Sequence, residues 1–132
     1  MSADDLPENR VTEQILGAAI EVHKALGPGL LESAYESCLA FELGLRQVPV
    51  ERQMSLPVRY KDHLVETGFR VDLLVDGLVV VELKAVEKLL PIHQAQILTY
   101  LKLTGCRIGL LLNFNVKRLK DGGIQRFALN LQ

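Results

Sequence analysis

One segment limits the choice of fold more than any other: Leu78-Val79-Val80-Val81-Glu82-Leu83-Lys84-Ala85-Val86. Successive side chains of a strand point to opposite faces, and here both faces are apolar except at Glu82 and Lys84. A run apolar on both faces marks a strand covered on both sides, as in the middle of a sheet flanked by helices. Glu82 and Lys84 fall on the same face. Desolvating two such charges costs on the order of several kcal/mol unless a partner or ion compensates. They are either an i, i+2 ion pair at the solvated end of the strand or part of a functional group.

The surrounding pattern supplies the rest of a single domain spanning residues 11–132, with residues 1–10 read as a flexible tail. Apolar positions Ile15, Leu16, Ala19, Val22 and Leu26 predict a helix over Val11–Leu26, with Asn9 or Thr12 as cap and Gly27-Pro28-Gly29 as its stop. A second helix is expected from about Leu30 to Leu45. Val48–Tyr60 is extended and carries Pro49 and Pro57, which suits an edge strand. Lys61-Asp62 reads as a turn into a strand over Leu64–Val75. Pro91 opens and Gly105 closes a third helix. Arg107–Phe114 and Ile124–Leu129 complete the order α-α-β-β-β-α-β-β. The fold class is α/β in the broad sense (α+β by segregation): a mixed β-sheet flanked by helices.

Asp72 gives the central charges a partner. It lies in the strand before the Asp76-Gly77 hairpin signal, and register decides what it meets. A two-residue loop would pair Val75 with Leu78 and turn Asp72 away from Glu82. A three-residue loop, Asp76 to Leu78, would pair Val75 with Val79 and set Asp72 opposite Glu82. Gly77 can supply the left-handed residue of such a turn, so the second register is expected. Two carboxylates would then reach one divalent cation, Mg²⁺ or Mn²⁺, with the backbone carbonyl of Leu83 as a further ligand and Lys84 on the same face. A metal so held polarises a phosphate and acidifies bound water, and lysine can orient that water or stabilise charge at phosphorus. The chemistry suits phosphodiester hydrolysis.

Composition sets limits on this reading. A formal net charge of −1 provides no global basic field, so any nucleic-acid contact must come from local patches. No apolar run reaches the roughly 20 residues that span a bilayer, and the polar, acidic start does not read as a signal peptide, so the expectation is a cytoplasmic protein without a membrane partner. Cys38 and Cys106 lack zinc-site spacing and read as small core side chains.

Asp72 and Glu82-Leu83-Lys84 resemble the core of the PD-(D/E)xK nuclease superfamily. Gly29-Leu30-Leu31-Glu32-Ser33-Ala34-Tyr35 resembles the signature of its GxxExxY family, and the similarity runs from about Ile15 to Leu129. The resemblance implies a restriction-endonuclease-like core, metal held by Asp72 and Glu82, a catalytic Lys84, and Glu32 joining from the preceding helix. Gln96 and Tyr100 match the Gln-x-x-x-Tyr pattern of nucleases similar to the RecB group, which implies a role in positioning the site or the strand. Val71 departs from the proline of the superfamily name.

Each of these residues also has a plainer reading. Glu32 suits the positive end of a helix dipole, Tyr35 a packed ring with a tethered hydroxyl, and Gln96 and Tyr100 the boundary of an amphipathic helix. His23, His63 and His93 show no ligand spacing. His93 is the outsider among possible catalysts because it opens the helix after Lys84. Lys117, Arg118 and Lys120 form a solvated basic turn or, if nucleic acid binds, a phosphate contact. The sequence thus predicts a metal-dependent nuclease acting on DNA ahead of RNA, with a homodimer or a protein partner adding specificity. The competing readings are a non-catalytic nucleic-acid- or protein-binding module on the same fold, and hydrolysis of another phosphate ester, for which no Gly-rich loop speaks.

Overall fold

In the computed structural model, which describes residues 6–129, the elements are α1 (Pro7–Leu26), α2 (Glu32–Leu45), β1 (Val50–Tyr60), β2 (His63–Val75), β3 (Val79–Lys84), α3 (Pro91–Thr104), β4 (Ile108–Asn113) and β5 (Ile124–Ala128). This is the expected order. The strands form one five-stranded sheet in the order β1-β2-β3-β4-β5. Neighbours are antiparallel except β3 and β4, which are parallel and joined through α3. The long crossover that a parallel pair requires is therefore that helix.

The segment that constrained the fold is the middle strand, and Val79–Leu83 is buried throughout. Val79, Val81 and Leu83 meet Ile15, Ala19, Tyr35 and Leu39 of α1 and α2, while Val80 meets Ile97, Tyr100 and Leu101 of α3. Two helical layers cover the two faces, which explains why the strand lacks polar alternation. β1 is an edge strand, and the β1–β2 register shifts between Leu56 and Val58, around the donor-less Pro57. Cys38 and Cys106 are both free thiols, half-buried and buried.

Three expectations need correction. The segment Pro7–Arg10, read as tail, is the first turn of α1. Pro7 starts it with a fixed φ, and Glu8 is buried against Arg107, whose Nε and a terminal nitrogen donate to its carboxylate at 2.7 and 2.9 Å. Residues 1–5 of that tail lie outside the described residues. Neither Asn9 nor Thr12 caps α1: the N-cap is Leu6, and the Thr12 hydroxyl donates to the Asn9 carbonyl. α2 begins at Glu32, not Leu30, because the turn from Gly27 to Leu30 is held by Tyr35, whose hydroxyl donates to the Gly27 carbonyl and accepts from the Leu30 N–H.

The β1–β2 hairpin has an inversion that the sequence pattern hides. In β2, Leu73 and Val75 face the α1/α2 layer, yet Val71 and Phe69, also odd-numbered, pack in the α3 layer. In β1, Val50 and Met54 divide between the layers in the same way. The flip falls at Gln53 and Asp72, and Gln53 has φ +52°. β2 pairs with β3 only over Leu73–Val75. Beyond Asp72 the longer β1 and β2 continue as a two-stranded arm.

Candidate active site

The site begins with the turn. Asp76 and Gly77 both have positive φ, 53° and 65°, and the Leu78 N–H donates to the Val75 carbonyl at 3.0 Å. The ladder nonetheless pairs Val75 with Val79, which leaves Leu78 as the extra residue. This is the longer loop, and it brings Asp72 level with Glu82. There the two strands separate, and the carboxylates occupy the gap. The Asp72 N–H donates to Glu82 Oε2 at 2.9 Å, and the Leu83 N–H donates to Asp72 Oδ2 at 2.9 Å. Each side chain replaces a ladder bond that backbone would otherwise make, so both carboxylates are fixed by main chain.

Glu82 is 4% exposed, so its carboxyl is pushed up to about 9, first by burial and then by the Asp72 charge and a hydrogen bond with Asp72. The Asp72 N–H and the Lys84 charge oppose that rise without cancelling it. Two carboxylates this close do not both ionise readily without a cation. Tyr100 reaches the pair from α3. Burial, the charges of Glu82 and Asp72, and a hydrogen bond to Glu82 push its hydroxyl up to about 12, so it stays a donor at neutral pH. Phe69 packs edge-on against its ring at 5.5 Å.

The remaining predicted residues take separate places. Lys84 ends β3, half-buried, and its carbonyl accepts from the Phe114 N–H at 2.8 Å. Glu32 is exposed at the start of α2, and its carboxylate accepts the Ala85 N–H at 3.2 Å. It therefore touches the chain just after Lys84 rather than the Asp72–Glu82 pair. Among the described residues, no three Asp, Glu, His or Cys side chains gather as a metal cluster. Leu83 is buried. Gln96 is half-buried, one helical turn before Tyr100. His93 accepts the Leu90 N–H on Nδ1 at 2.9 Å and so serves the start of α3.

Four supporting residues were not singled out from the sequence. Glu36, 6% exposed, accepts from Arg52 on one oxygen and from Gln53 on the other, and the same Gln53 amide donates to Asp72 Oδ1 at 3.3 Å. A chain of contacts thus links α2 to Asp72. Its one sequence signal was Glu36 standing a helical turn after Glu32, beside a buried stripe. Asn113, opposite Lys84 in the β3–β4 pairing, clamps Val86: its Oδ1 accepts the Val86 N–H at 3.1 Å and its Nδ2 donates to the Val86 carbonyl at 2.9 Å. Together with Glu32 on the Ala85 N–H, that amide holds the chain leaving Lys84.

The available donors are carboxylate oxygens and peptide carbonyls, the hard ligands that Mg²⁺ and Mn²⁺ prefer. A small cation that keeps several waters needs only one or two carboxylates, so the Asp72–Glu82 pair fits such an ion. The mixed sheet with a helical layer on each face is consistent with a restriction-endonuclease-like fold. Searches of curated proteins and of solved structures found no match. A model of the PD-(D/E)XK nuclease superfamily does match, over residues 9–127, from the first turn of α1 into β5, and the chain belongs to that superfamily.

Proposed function

We propose that this chain is a divalent-cation-dependent phosphodiesterase of the GxxExxY type, cleaving nucleic acid, DNA ahead of RNA. The observation that carries the proposal is the Asp72–Glu82 contact: two carboxylates fixed by backbone N–H groups, one of them buried, beside a lysine. Asp72, Glu82 and the Leu83 carbonyl would hold Mg²⁺ or Mn²⁺, with Glu32 joining from α2. The cation, when bound, polarises the scissile phosphate and acidifies a water. Lys84 stabilises the negative charge that grows on the phosphoryl oxygens and orients the attacking water. Tyr100 stays protonated and keeps Glu82 aligned, and Gln96 borders the strand being cut. A homodimer or a protein partner would supply the specificity that so small a domain has little room for.

A second reading, a non-catalytic nucleic-acid- or protein-binding module, draws on the absence of a three-carboxylate cluster among the described residues. Cleavage separates the two readings. Labelled single- and double-stranded DNA and RNA are incubated with Mg²⁺ or Mn²⁺ and with wild type, Asp72→Ala or Lys84→Ala protein. Metal-dependent cleavage is expected from wild type, with at least about a hundredfold loss in either variant. Folded wild type that cuts none of the four substrates removes the nuclease reading.

A further inference from the structure

A pocket of about 520 Å³ lies between the last turns of α1 and the loop that leaves β4, away from the Asp72–Glu82 pair. It is lined by His23, Lys24, Lys117, Arg118, Lys120 and Asp121, with apolar Ile20 and Leu119 behind them. Four cations against one carboxylate leave a formal charge of +3 on a chain whose total is −1. None of those four cations makes an ion pair with a described residue. The charge is therefore open to an external anion.

The loop is built to hold these side chains. Leu119 is 3% exposed and anchors it in the core, so Lys117, Arg118 and Lys120 stand around a fixed point. The Asp121 N–H bonds the Arg118 carbonyl and the Gly123 N–H bonds the Leu119 carbonyl, each at 3.0 Å. Gly123 is packed so closely that a Cβ would lie 2.8 Å from the Asn113 and Leu119 carbonyl oxygens. A site ordered before its ligand arrives loses less entropy on binding. The pocket is also coupled to the sheet end that carries Lys84: His23 Nε2 meets the Phe114 carbonyl at 3.1 Å, and the Phe114 N–H bonds the Lys84 carbonyl.

We propose that this pocket is a second phosphate subsite, taking a backbone phosphate of the nucleic-acid strand at a distance from the one being cut. The proposal rests on the nuclease reading above. The subsite supplies the local basic surface that the net charge denies the rest of the molecule, and it fixes the direction in which the strand leaves the carboxylates.

The test is fluorescence anisotropy with a labelled single-stranded DNA oligonucleotide in EDTA, across a salt series. The probe protein is Lys117→Gln/Arg118→Gln/Lys120→Gln, and a charge-matched control carries Arg59→Gln/Lys61→Gln/Lys102→Gln. The pocket variant should weaken binding at least about tenfold and lower the slope of log K against log salt by about 2, at roughly 0.7 per lost contact. The control should bind like wild type, and both variants should keep the wild-type melting temperature. Wild-type affinity in the pocket variant, an equal loss in the control, or displacement of the oligonucleotide by an equal phosphate concentration of mononucleotide would each overturn the subsite. If wild type cleaves but the pocket variant binds normally, only the subsite fails, whereas folded wild type that neither binds nor cleaves removes the nuclease reading as well.

Discussion

Glu82→Gln should make the metal-free protein more stable while abolishing cleavage. Glu82 is buried against a second carboxylate, and its carboxyl lies at about 9 instead of the ordinary 4.5. Because the folded value is the higher one, the folded state keeps a proton that the unfolded chain has released between those two pH values. Stability is fully present below the unfolded value and is lost as pH rises through the window to about 9. At pH 7 the penalty is bounded by about 2.5 pH units times about 1.4 kcal/mol, or between about 3 and 4 kcal/mol. Relaxation around the site reduces this to about 2–3 kcal/mol. Glutamine carries no such proton. Its carbonyl can accept the Asp72 N–H, and its amide can donate to the Asp72 carboxylate, as the protonated acid does. Thermal unfolding in EDTA from pH 4.5 to 9 should show the variant's lead growing from near zero to about 5–10 °C at pH 7. Mg²⁺ should then raise the melting temperature of wild type alone. Parallel pH curves, or a less stable Glu82→Gln protein at pH 8, would refute the reasoning.

Two further outcomes follow from polar contacts outside the carboxylate pair. Glu8 is buried while the Arg107 side chain is 44% exposed. Arg107→Ala strands a buried carboxylate and should cost about 2–3 kcal/mol in urea unfolding, against about 1 kcal/mol for Glu8→Gln, which leaves an arginine that water can reach. Burial raises the Glu8 carboxyl, but the Arg107 hydrogen bond and charge outweigh it and hold the group below its ordinary value. Its contribution is therefore present above about pH 4.5 and lost as pH falls through the folded value. Asn113→Leu removes both partners of Val86 and should cost about 2–3 kcal/mol. It should also lower kcat more than KM, because the chain leaving Lys84 loses its clamp, and equal changes in the two would count against a positioning role.

The element order was legible because each element carries its own local signature. A continuous run apolar on both faces marked β3, glycine and proline marked the ends of α1 and α3, and the hairpin register followed from one turn. The juxtaposition of Asp72 with Glu82 came from that register and nothing longer in range. What escaped was set by tertiary contacts. Pro7–Arg10 reads as polar tail because Glu8 becomes a core residue only when Arg107, 99 positions later, arrives beside it. Gln53 and Asn113 are unremarkable polar residues until a neighbouring strand presents a carboxylate or a free backbone group. The face inversion was invisible because Phe69, Val71, Leu73 and Val75 are apolar at every second position while dividing between two cores.

The arm that β1 and β2 form beyond β3 gives that inversion a mechanical meaning. Its outer strands have each other and the α3 side chains for support, and a two-stranded ribbon is marginal alone. It acts as a lever, and its fulcrum is the segment where the strands part from the sheet. Asp72 sits on that fulcrum, tied by Gln53 to α2 and by its own N–H to Glu82. A load on the tip at Tyr60 and His63, applied by a second protein, would be delivered first to the spacing of the two carboxylates.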